Sequence, residues 1–62
     1  MIFHLHDKVR IKETGEIGFI VWVSDSLKDD CYLVEIMGRN EMPKFYGENQ
    51  IEIVQTFEEW NK

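Results

Sequence analysis

Cys31 and the two histidines His4 and His6 are the residues of this chain best suited to nucleophilic chemistry, a thiol that an imidazole could deprotonate. No local nucleophile signature and no third, orienting group accompanies them. A single cysteine on an apolar segment is far more often a small packed hydrophobe. His4-x-His6 would offer two metal ligands on one side of a strand, with Cys31 as the one further candidate. Zinc needs three or four ligands, and a His-x-His pair in a loose lead-in is usually solvated. Asp25, Asp29 and Asp30 miss both the spacing and the glycine of a calcium-binding EF loop. A chain of 62 residues should also lack the pocket of ~300 Å³ that a small substrate fills. No catalytic residue, metal or cofactor is expected, and the chain reads as non-enzymatic.

Binding chemistry has two candidate sources. Lys8, Arg10 and Lys12 alternate along one segment and would project together, with Trp22 or Tyr46 as stacking platforms for a nucleic acid. Against that stand a net charge of −5, from seven Lys+Arg and twelve Asp+Glu, and the acidic loop Glu13-Thr14-Gly15-Glu16. Three cations give a weak, salt-sensitive contact at best. The second source is apolar. Trp22, Leu33, Met37, Phe45, Phe57 and Trp60 exceed what a small core covers, and clusters of that kind mark surfaces for a protein partner or for self-association.

The elements that position these groups are strands. Phe3, Leu5, Val9 and Ile11 alternate with His4, His6, Lys8, Arg10 and Lys12, the period of a half-buried strand, with Asp7 alone out of place on the apolar side. The ordered part is expected over Asp7–Glu13, with residues 1–6 a looser lead-in and Gly15 in the following turn. Ile17–Val23 is apolar on both parities and must lie centrally, and Gly18 marks a bulge or a close backbone approach. Alternation favours Phe19, Val21 and Val23 as its inward side.

After the polar stretch Ser24–Asp30, a third strand is expected over Cys31–Met37, with Tyr32, Val34 and Ile36 inward because Glu35 shares the other parity. Gly38–Glu41 is a turn. Met42–Tyr46 is a short strand that Pro43 assigns to an edge or a strand start. One helical turn at 47–50 leads to Ile51–Val54, with Ile51 and Ile53 inward. Thr56-Phe57-Glu58-Glu59 matches a capping box, so the tail forms a helical turn only if docked, and Leu33 and Met37 are its expected targets. Val9, Val21, Val34 and Ile53 are the expected core.

Composition bounds the rest. With 44% hydrophobic and 31% charged residues the chain is one small globular domain, and its 13% aromatic content excludes disorder. Stability at this size is about 3–9 kcal/mol. The longest uncharged run, Ile17–Ser24, is far short of the ~20 residues of a membrane span, and the charges from Asp7 to Glu13 interrupt any signal-peptide core. One cysteine and no glycosylation sequon make the cytoplasm the expected compartment.

The order of elements resembles the SH3-like barrel, and within it the KOW-like type found in many small bacterial domains. The likeness is carried by Asp7-Lys8-Val9-Arg10-Ile11, by Gly15, by Gly18 followed by Ile20 and Val23, and by Tyr32-Leu33-Val34-Glu35 and Gln50-Ile51-Glu52. It implies accessory RNA or protein binding, and it turns Ile20 inward, against simple alternation; a bulge would reconcile the two. The reading is an all-β chain, a five-stranded SH3-like small barrel over residues 1–54 with a docking tail over 55–62. It binds a protein partner or itself through Trp22, Phe45 and Tyr46. The alternative is weak nucleic-acid binding through Lys8, Arg10 and Lys12.

Overall fold

The computed structural model describes residues 3–24 and 31–61. Five strands follow one another: β1 (Lys8–Ile11), β2 (Ile17–Ser24), β3 (Cys31–Ile36), β4 (Lys44–Gly47) and β5 (Ile51–Gln55). One turn of 3-10 helix, Glu48–Gln50, joins β4 to β5, and a four-residue helix, α1 (Phe57–Trp60), follows β5. All five strands share one antiparallel sheet in the order β4-β3-β2-β1-β5. The strand expected over Asp7–Glu13 is shorter because a turn at each end claims its outer residues. The strand expected over Met42–Tyr46 begins only at Lys44, since Pro43 has no N–H for the ladder. Gly15 and Gly38 hold the turns at φ of 78° and 79°, where a side chain would be strained.

Phe3, Val9, Ile11, Ile20, Tyr32, Val34 and Ile51 form the buried core, with Val23, Ile36 and Tyr46 packed against it. Tyr32, Val34 and Ile36 therefore point inward as their parity predicts, and Glu35 is exposed. Two expected core residues are corrected. Val21 is only half-buried, because the β2–β3 register slips between Ile20 and Trp22: Ile20 faces Val34 and Trp22 faces Leu33. One extra β2 residue is accommodated there, a bulge that turns Ile20 inward and breaks the Phe19, Val21, Val23 alternation. Ile53 is the second correction. It stands opposite fully buried Val9 but is 45% exposed, because β5 is an edge strand and its register with β1 shifts beside this pair, between Lys8 and Val9. Gly18 is the site of close approach: a Cβ there would lie 2.6 Å from the Glu35 carbonyl oxygen and 2.7 Å from Val34 Cγ1.

Residues 3–7 are more ordered than a loose lead-in. Phe3 is buried edge-on against Tyr32, with ring centroids 5.2 Å apart, whereas Leu5 turns out to solvent. Asp7 N–H donates to His4 C=O (3.1 Å), and His4 N–H donates to Asp7 Oδ2 (2.9 Å). His6 sits in this turn at φ 72°, held by its N–H to Ile20 C=O at 2.8 Å. Asp7 is only 2% exposed, and its second oxygen accepts the Phe57 N–H at 2.9 Å. The residue that broke the alternation is thus a buried carboxylate joining the start of the sheet to α1.

The capping box at Thr56 forms as its spacing predicts: Glu59 N–H donates to Thr56 Oγ1 and Thr56 N–H to Glu59 Oε1. The target of the tail differs from expectation. Met37 is exposed, and Trp60 packs instead on Phe19, while Phe57 meets His6 and Trp60. The bulge places Phe19 on the outer face, beside the positive-φ turn whose carbonyl accepts the Trp60 indole N–H at 2.8 Å. No helix among the described residues is long and apolar enough to cross a membrane.

Candidate functional site

Cross-strand partners in an antiparallel sheet project from the same face. Trp22 on β2 is opposite Leu33 on β3, and Leu33 is opposite Phe45 on β4. The three side chains therefore make one row across the outer face, against the core-facing row of Val23, Tyr32 and Tyr46. Trp22 is 61% exposed and Phe45 58%, with half-buried Leu33 between them. Large apolar groups so exposed and so aligned are not explained by folding, since each lies on the side of the sheet away from the core.

Of the three contact residues read from the sequence, the structure brings Trp22 and Phe45 together and separates Tyr46. Tyr46 is one residue along β4, so it points inward and is half-buried against the core. Leu33 is the row member that sequence reasoning left out of the site. Its signal was present in Glu35, which fixes the outward parity of β3. The Trp22–Leu33 alignment, however, depends on the bulge.

The cationic residues are dispersed in effect. Lys8 and Arg10 share the outer side of β1, but Arg10 Nη1 lies 3.0 Å from Glu52 Oε2 on the neighbouring β5. Lys8 stands between Phe19 and Gln55, and Lys12 is exposed in the turn after β1. Arg39 is likewise engaged, 2.8 Å from Glu16 and 3.4 Å from Glu41. These are exposed pairs of small energetic weight; they engage the two arginines, Arg10 and Arg39.

His4 and His6 sit in a turn rather than on a strand, and Cys31 is half-buried on β3 as a free thiol. Among the described residues no three His, Cys, Asp or Glu side chains are grouped to hold a metal. Asp25, Asp29 and Asp30 lie outside the described residues. The expectation that the chain cannot form a concavity of substrate size is corrected. An open groove of about 550 Å³ runs over Phe3, Ile51 and Ile53, and another of about 410 Å³ lies between Leu5 and Phe57. Asp7 lines both, with its two oxygens already committed to backbone N–H groups.

No protein-family model matches this chain, and no curated protein or solved structure matches it significantly.

Proposed function

We propose that this chain is an SH3-like barrel of the KOW-like type that works in the cytoplasm as a non-enzymatic interaction module, binding a protein partner through its outer face. The barrel is supported by one geometric constraint. β4 and β5 stand at opposite edges of the sheet, about 19 Å apart if five strands lay flat. Only the three residues Glu48–Gln50 connect them, and a 3-10 turn rises about 2 Å per residue. The sheet must curl to bring its edges together at that end.

The observation that carries the functional reading is the exposed row Trp22–Leu33–Phe45. Trp is a residue type that often dominates binding energy when desolvated, and Trp and Phe are both enriched in interface cores. Nucleic-acid binding through Lys8, Arg10 and Lys12 ranks second, because Glu52 neutralises Arg10 and the adjoining loop is acidic. The test is affinity capture from native extract with the immobilised chain and with a Trp22→Ser/Phe45→Ser double variant. Both substitutions are on the surface, so circular dichroism should be unchanged. Proteins held by the native chain should be lost from the variant. Equal retention by both would refute the reading.

A further inference from the structure

The free edge of β4 adds a main-chain element to this row. Directly after β3, Met37 N–H donates to Ile17 C=O (2.8 Å), so the odd-numbered positions of that strand turn their polar backbone groups toward β2. Leu33 has the same parity, and the bulge is on β2, so β3 is not interrupted. Leu33 therefore exchanges no hydrogen bonds with its partner Phe45, and the Phe45 N–H and C=O point away from β3. Gly47, two residues on, agrees: its N–H leaves the sheet for Gln50 Oε1 at 2.8 Å.

Phe45 and Gly47 thus face the open edge of β4, and Pro43 immediately precedes the strand. Pro43 has no N–H, and the Gly47 N–H is occupied, so the edge is blunted at both ends as edge strands commonly are. Among the described residues Phe45 alone offers both a donor and an acceptor there. It is also the residue that ends the apolar row.

We infer that Phe45 is a one-residue docking point for an extended, basic peptide segment, which pairs antiparallel to β4 and lays an apolar side chain beside the Phe45 ring. This rests on the reading of the row as a contact surface and names its partner class. Area argues against a folded partner or a second copy. The exposed aromatic area of Trp22 and Phe45 is roughly 200–300 Å², a narrow strip beside the about 800 Å² per partner of a stable interface. A strip of that width suits a single strand better than a broad folded face. Strand addition needs less area because main-chain hydrogen bonds contribute the affinity. Charge argues the same way: a net −5 opposes self-association, and Glu35 is exposed on the same outer face, two residues from Leu33. In antiparallel pairing, the peptide residue two positions after the apolar one comes opposite Pro43, on the Glu35 side. An apolar-x-Lys/Arg segment meets both requirements.

The experiment titrates the full chain with acetyl-Thr-Thr-Leu-Thr-Arg-Thr-amide, followed by NMR of the Phe45 amide and by Trp22 fluorescence in a Trp60→Phe background. Binding should shift the Phe45 amide and slow its hydrogen exchange. N-methylation of the peptide leucine, which removes one hydrogen bond, should weaken binding about tenfold. Replacing the peptide arginine by glutamate should weaken it as well, and Glu35→Lys in the chain should reverse that preference. Equal binding of the N-methylated peptide, or no shift at Phe45, overturns the inference. A mass doubling in light scattering that is lost in Phe45→Thr also overturns it, in favour of a second copy. If the peptide fails while capture of a partner still depends on Trp22 and Phe45, the strand-addition model falls and the contact surface stands.

Discussion

The carboxylate of Asp7 accepts the backbone N–H of Phe57 across fifty residues of sequence, at 2.9 Å, while its other oxygen accepts the N–H of His4. Phe57 is the first residue of α1, where N–H groups lack intrahelical partners and a negative charge is favoured. One buried acid therefore satisfies a turn at one end of the chain and a helix start at the other.

Removing it should be costly. Asp7→Ala leaves two N–H groups without their acceptor, at about 1–3 kcal/mol each, out of a total of about 3–9 kcal/mol. Asp7→Asn keeps one acceptor and should lose about half as much. Urea unfolding of the three proteins gives the comparison. A loss below ~0.5 kcal/mol for Asp7→Ala would place the carboxylate outside the framework.

The tail gives a second test. Trp60 meets Phe19 with ring centroids 5.6 Å apart at 66°, an edge-to-face arrangement. A double-mutant cycle of Phe19→Ala and Trp60→Ala should return a coupling of about 0.5–1.5 kcal/mol. Deleting residues 56–62 should lower stability and expose Phe19. An additive cycle, or a truncated chain as stable as the intact one, would mean that α1 contributes nothing to the sheet.

The register of the sheet predicts unequal effects of the same substitution. Ile20→Ala at a fully buried site should cost about 2–5 kcal/mol, and Ile53→Ala, at 45% exposure, about 1 kcal/mol or less. Equal losses in chemical unfolding would contradict the bulge and the exposed position of Ile53 on β5.

Gly18→Ala sets a Cβ 2.6 Å from a backbone oxygen that cannot move without breaking β3 pairing. It should cost more than Gly38→Ala, where space is open and the penalty is the ~1 kcal/mol of a positive φ. The reverse order in thermal melts would argue against the close approach of β2 and β3 at Gly18.

Strand parity was legible wherever a charged residue broke the symmetry: Glu35 set β3, and the alternating cations set β1. Thr56 and Glu59 were sufficient to mark α1 because a capping box is local. What the sequence withheld was non-local. Alternation could not place the bulge between Ile20 and Trp22 in a run that is apolar on both faces. The family resemblance turns Ile20 inward and calls for a bulge, but neither its position nor the alignment of Trp22 with Leu33 follows from it. The docking site of the tail follows from the same slip, since it brings Phe19 outward. Asp7 was visible as an anomaly, but its partner Phe57 could not be found without the fold.

Photo-crosslinking in native cells tests the contact surface most directly. Benzoylphenylalanine is placed singly at Phe45 on the row, at Ile53 in the groove beside β5, and at Lys12 after the cationic strand; all three are exposed. A protein adduct from position 45 alone is the predicted result. Protein adducts from position 53 in its place, or nucleic-acid adducts from position 12, would contradict the assignment of function to the Trp22–Leu33–Phe45 row.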